Sequence, residues 1–92
     1  MNKMVEILEH NLDEWRRLHD WIVLKRGTSD LIEEIISLGH KYSSLLKQYK
    51  STLDDERKAI LFDLRVTLHE MMTLYDKIRH KHHFPLHFKE LP

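Results

Sequence analysis

Residues that interrupt helices are rare in this sequence. Among its 92 residues are two glycines and two prolines, which fall at Gly27, Gly39, Pro85 and Pro92. Glycine and proline are the strongest local breakers of helices, so long helices are expected wherever the apolar residues follow a helical period. A chain of this length has room for one domain with a single core.

Three segments have apolar residues at helical spacing, and their spacing favours an all-α fold. We predict an all-α three-helix bundle whose third helix is long. The predicted helices cover about 2–26, 31–50 and 53–82, within a domain over residues 1–83 that is followed by a tail over 84–92.

Capping signals lie between these segments. Gly27 is suited to end the first helix, and the following Thr28, Ser29 and Asp30 are N-cap candidates for the second. Asp30 and Glu33 also have the spacing of a capping box. The break before the third helix contains neither glycine nor proline, so a single continuous or bent helix across it remains an alternative.

The first two predicted helices differ in how much apolar surface they carry. The apolar arc of the first covers about 200° of its circumference, which is more than one neighbouring helix covers. Asn11 and His19 lie in or beside this arc, and we interpret them as hydrogen-bonded polar groups that fix the helix register. Gly39 lies on the apolar face of the second helix, where a missing side chain predicts a close helix crossing.

The predicted length of the third helix points to self-association. At ~1.5 Å per residue it would be about 45 Å long, against about 30–36 Å for the other two. Leu74, Tyr75 and Ile78 would then lie on an overhang with their apolar side uncovered. A second copy could cover them, which predicts a homodimer. The alternatives are that the overhang frays or packs on Phe84–Leu91 of the same chain.

A smaller apolar patch is predicted on the opposite side of the third helix. Phe62 and Val66 are one turn apart there, with Ala59, His69 and Thr73 around them. An apolar patch that faces away from a core is typical of a protein-binding surface. We therefore predict a non-enzymatic adaptor, inhibitor or regulatory subunit that binds a protein partner through these five residues.

The C-terminal histidines offer an alternative function. Neutral imidazoles bind zinc, nickel or copper, and basic residues with interleaved aromatic rings can hold single-stranded nucleic acid. Cations that complement the negative end of the helix and then continue as a solvated tail are the favoured interpretation. The metal alternative would use four residues, His80, His82, His83 and His87.

Other features argue against catalysis and membrane insertion. The formal net charge is zero and there is no cysteine, so a general nucleic-acid affinity and thiol chemistry are not expected. Arg65 and His69 are one turn apart and could serve phosphodiester cleavage, but the spacing is common by chance and ordinary surface roles are favoured. No secretion signal and no apolar run long enough for a bilayer is found, which predicts a cytoplasmic protein. There is also no Gly-rich phosphate-binding loop, and no cofactor is expected.

Overall fold

The structure, a computed structural model, describes residues 3–25, 29–53, 55–80 and 84–92. Within these ranges there is no β-strand, and the predicted three-helix, all-α class is confirmed. The helices are α1 (Lys3–Lys25), α2 (Asp30–Ser51) and α3 (Asp55–Ile78). Residues Phe84–Pro92, here termed the tail, follow without regular secondary structure.

Helix α2 begins and ends where its local chemistry predicts. Ser29 is the N-cap, and its hydroxyl oxygen accepts a hydrogen bond from the backbone N–H of Ile32 at 3.3 Å. Asp30 and Glu33 lie in the first turn, where the positive end of the helix dipole stabilises carboxylates. At the other end Thr52 has an extended backbone, so α2 and α3 are separate helices and not one continuous helix.

Helix α3 is shorter than its predicted range of 53–82. It ends at Ile78 and is followed by a turn at residues 79–80. With 24 residues, α3 is close in length to α1 and α2, which have 23 and 22. The overhang expected from a long third helix is therefore absent from the described residues. None of the three helices, over those same residues, has the length and hydrophobicity to cross a membrane.

Helix α2 lies in the middle of the fold. It packs against both α1 and α3, whereas the backbones of α1 and α3 do not approach each other closely. The tail lies between these two helices and continues their core with Leu86, which is buried. Asn11 and Trp21 of α1 are ten positions apart, which is about 15 Å along the helix. Contacts of the tail with the same stretch run from Phe84 to Lys89, so the tail is extended and antiparallel to α1.

The crossing of α1 and α2 depends on Trp15 and Gly39. The Trp15 ring lies directly against the backbone of Gly39, and its Nε1–H donates to the carbonyl oxygen of Ile35 at 3.0 Å. A short distance along the interface, the buried Tyr42 hydroxyl donates to the carbonyl oxygen of Leu8 at 2.7 Å. Burial raises the pKa of Tyr42 above its ordinary value. The predicted close crossing at Gly39 is confirmed.

Replacing Gly39 with alanine is expected to destabilise the protein. The new methyl group would lie 1.8 Å from Cε2 of Trp15, so either the buried ring or the helix backbones would have to shift. Alanine favours the helix by about 1 kcal/mol, but overpacking costs typically 1–3 kcal/mol or more, and here the clash is with a rigid ring. We expect a net loss of about 2 kcal/mol in the free energy of unfolding, measured by urea denaturation. Ser44→Ala, at an exposed position of α2, is the control and should not destabilise.

Candidate functional site

The five residues predicted to bind a partner share one exposed surface of α3. Phe62 is 66% exposed and Val66 is 41% exposed. Ala59, His69 and Thr73 are exposed above and below them. We term these five residues the outer face of α3. Thr73 donates from its hydroxyl to the carbonyl oxygen of His69 at 3.0 Å, so its methyl group and the accepting lone pairs of its oxygen remain for contact.

Charged residues border the outer face at both ends. Lys58 and Asp55 form an exposed ion pair at 3.7 Å near the start of α3, and Arg79 and Asp76 form another at 3.6 Å near its end. Such pairs contribute little stability in solvent, about 0–1 kcal/mol. They do leave an apolar stripe with a polar rim, which is the arrangement that protein-binding patches have.

His69 lies between two shallow depressions beside the outer face. One lies towards α2 and is lined by Glu34 of α2 and by Glu70, Leu74 and Lys77 of α3. The other is bordered on the tail side by Arg65 and Leu91. His69 is therefore where the outer face meets the rest of the surface, and its imidazole is accessible from both sides.

Arg65 has a structural role that the sequence did not indicate. Its guanidinium donates to the carbonyl oxygen of Pro92 at 2.6 Å and so holds the last described residue of the tail against α3. His69 borders the same depression but is not its hydrogen-bond partner in any contact described. The pairing of Arg65 with His69 for phosphodiester cleavage thus receives no support from the geometry.

The three residues predicted for self-association are buried within the single chain. Leu74, Tyr75 and Ile78 all belong to the hydrophobic core. The Tyr75 hydroxyl donates to the carbonyl oxygen of Phe84 and accepts from the N–H of Leu86 at 2.9 Å, so the tail covers this end of α3. In the structure this end of α3 packs on the tail of the same chain, which was one of the alternatives that the sequence left open. Self-association through these side chains stays a prediction, and it would require the tail to leave.

Side chains of α1 hold the middle of the tail by its backbone. The Asn11 amide group donates to the carbonyl oxygen of Lys89 at 2.8 Å and accepts from the N–H of the same residue at 2.7 Å. Glu14 accepts from the N–H of His87 at 3.1 Å, and His10 donates from Nε2 to the carbonyl oxygen of His87 at 2.7 Å. We term the surface formed by His10, Asn11 and Glu14 of α1 and Tyr75 of α3 the tail groove.

Aromatic contacts hold the start of the tail. The rings of Trp21 and Phe84 lie 5.1 Å apart at an angle of 34°, and the Arg17 guanidinium lies 5.5 Å from the centre of the Phe84 ring. Arg17 also donates to Glu14 at 2.6 Å. Burial acts to raise the pKa of Glu14, but the hydrogen bonds from Arg17 and from the His87 amide outweigh it, and the pKa is lowered from 4.5.

Sequence reasoning missed the tail groove although two signals pointed to it. The apolar arc of α1 was too wide for one neighbour, and the structure shows that α2 and the tail cover it together. Asn11, predicted to be a hydrogen-bonded polar group, is fully buried and hydrogen-bonded as expected. Its partner, however, lies at the other end of the chain, and no helical pattern identifies such a partner.

The histidine-rich end is only partly described. His80 and His87 have exposed side chains, while His82 and His83 of the predicted metal alternative lie outside the described residues. Over the part of the chain that is described, no group of three or more histidine and carboxylate side chains is placed to hold a metal ion. His80 lines a depression with Tyr75, Arg79 and Phe84.

Comparison with known proteins adds no further guide to the site. No protein-family model matches the chain, and no curated protein or solved structure is significantly similar to it. The candidate surfaces therefore rest on the chemistry of the outer face of α3 and of the tail groove.

Removing the Asn11 side-chain amide should loosen the tail. Asn11→Leu keeps a similar volume but leaves the N–H and the carbonyl group of Lys89 without partners. Two lost hydrogen bonds at a buried position are expected to lower the free energy of unfolding by about 2 kcal/mol. Amide hydrogen exchange at Lys89 should also accelerate. Arg16→Leu, on the exposed side of α1, is the control, and an equal effect of both substitutions would contradict a specific role for Asn11.

The lowered pKa of Glu14 predicts a pH dependence of tail binding. A carboxylate whose pKa is depressed in the folded state adds stability above its unfolded pKa, here about 4.5, and that stability is lost as the pH falls through the folded value. The stability difference between the wild type and Glu14→Gln should thus be constant from about pH 7 to 5 and shrink towards pH 3. Urea denaturation across this range measures it, and a difference that grows on acidification would exclude this assignment.

Proposed function

We propose that this protein is a small, non-enzymatic interaction module that binds a protein partner through the outer face of α3. The observation that carries the proposal is the exposure of Phe62 in the middle of a regular helix. A large aromatic side chain held in water, with Val66 beside it, has a favourable free energy of burial that the chain itself does not use.

The fold does not need these side chains. Neither Phe62 nor Val66 belongs to the hydrophobic core or packs against it. The core-facing side of α3 is instead formed by Leu64, Leu68 and Met71, which are buried. Phe62 and Val66 therefore have no role in the described structure that would explain apolar residues at exposed positions.

The spacing along the outer face favours a helical partner. Its residues follow one another at intervals of three, four, three and four positions, from Ala59 to Thr73. This alternation is the spacing of the apolar seam in a coiled coil, where knobs of one helix fit into holes of another. Over about 21 Å, it would accommodate an amphipathic helix of roughly 15 residues. The small side chains of Ala59 and Thr73 at the two ends allow that helix to approach closely.

The polar groups of the protein support binding over catalysis. Glu14 and Tyr42 both have shifted pKa values, as residues in active sites often do. Each, however, is engaged in a structural hydrogen bond, Glu14 with the tail and Tyr42 with the backbone of α1. Neither residue belongs to the outer face.

Replacing Phe62 with glutamate should abolish capture of the partner while leaving the fold intact. A charge at the centre of an apolar contact is expected to cost about 2 kcal/mol or more, or roughly 30-fold in Kd. The tagged full-length chain is used as bait, and the retained protein is identified by mass spectrometry. Leu53→Glu is the matched control, because Leu53 is a comparably exposed apolar residue, at 77%, that lies outside the outer face.

The structural class of the partner can be tested at the same position. A photo-crosslinking phenylalanine analogue at position 62 should react with a segment whose apolar residues have the same three-four spacing. Cross-links to a loop or a strand would contradict a helical partner. Unfolding of Phe62→Glu, seen as a loss of helical circular dichroism, or equal loss of binding in Leu53→Glu, would overturn the assignment of the outer face.

A further inference from the structure

The tail groove recognises the backbone of the segment that it holds. Tyr75 bonds to the carbonyl group of Phe84 and the N–H of Leu86, and the α1 side chains bond to both backbone groups of His87 and of Lys89. Main-chain hydrogen bonds of this kind are how proteins bind extended peptides. The groove supplies them from side chains, because its walls are helices whose own backbone groups are already paired.

Specificity for the segment comes from alternating apolar side chains. Leu86 is buried in the core, and Phe84 lies against Trp21. The rings of Phe88 and Tyr75 lie 5.9 Å apart at 90°. Side chains two residues apart on an extended segment point to the same side. The groove therefore selects an extended peptide with apolar residues at every second position.

We propose that the tail groove is a peptide-binding site that also takes the tail of a second copy, so that two chains form a dimer by exchanging Phe84–Pro92. The segment whose fit to the groove is established residue by residue is this tail, and every other copy carries it. Exchange preserves each groove contact, since the same residues meet in both states.

The groove is suited to exchange because the backbones of α1 and α3 do not approach each other closely, so the tail occupies the space between them. When the tail leaves, Asn11 loses both of its hydrogen bonds to Lys89, Glu14 loses the one from the His87 amide, and the core side of Tyr75 is uncovered. The apolar surface exposed in this way favours rebinding of a tail. A tail tethered to its own groove has an effective concentration on the order of millimolar, so the closed monomer should dominate at low protein concentration.

Mixing two full-length variants tests the exchange. Asn11→Leu weakens the groove and keeps a normal tail, while Leu86→Asp weakens the tail and keeps a normal groove. Each variant alone therefore lacks either an intact groove or an intact tail, so its copies cannot pair an intact groove with an intact tail. Mixed at about 0.5 mM, a concentration near the tethered value, the two are expected to form a one-to-one heterodimer in analytical ultracentrifugation. Two helical variants that remain separate would overturn the proposal.

A labelled peptide of the sequence Phe84–Pro92 provides a second measurement that does not depend on dimer formation. It should bind full-length Leu86→Asp at least tenfold more tightly than the wild type, whose own tail competes for the groove. The double variant Asn11→Leu with Leu86→Asp should lose this binding. Equal affinity for the wild type and Leu86→Asp, or unchanged affinity for the double variant, would exclude the groove as the peptide site.

Measurements on the wild-type protein distinguish a dimer formed by tail exchange from one formed through the outer face of α3. A concentration series should give a wild-type dimer that persists in Phe62→Glu and is lost in Leu86→Asp. A dimer with the opposite sensitivity would overturn tail exchange and assign self-association to the outer face of α3. A wild type that stays monomeric to about 1 mM, where exchange should compete with the tethered tail, would contradict it as well.

Discussion

The backbones of α1 and α3 lie on either side of α2 without approaching each other closely, and the space between them has to be filled. Each of these helices turns apolar side chains towards that space, among them Trp21 of α1 and Tyr75 of α3. Three helices of nearly equal length are not enough to bury them. The tail supplies the missing layer with Leu86 and, at its edges, Phe84 and Phe88. The integrity of the core thus depends on a segment that is not helical.

A non-helical segment in a core brings backbone N–H and carbonyl groups that need partners. Here the partners are polar side chains on apolar faces, which explains residues that would otherwise be out of place. Asn11 is fully buried and Glu14 nearly so, yet the buried side-chain polar atoms of the described residues all have hydrogen-bond partners. The polar groups on the core side of α1 are therefore a consequence of the tail, and they fix its direction and register.

Much of the fold was predictable because it depends on local chemistry. The three helices and the cap at Ser29 follow from residues near one another in sequence, and the close crossing at Gly39 follows from a missing side chain on an apolar helix face. The end of α3 and the burial of Leu74 and Ile78 did not follow, because they depend on where the tail goes. Of the candidate site, exposure of Phe62 was predictable from helical spacing, whereas the tail groove joins residues about 78 positions apart. Periodicity carries no information about such contacts.

The distance in sequence between α1 and the tail has a consequence for biosynthesis. During translation, α1, α2 and α3 all emerge from the ribosome before Phe84 does, so the nascent helices carry an open apolar cleft until the tail has been made. Slow closure of contacts this far apart is expected, because the loop entropy must be overcome before the contacts form.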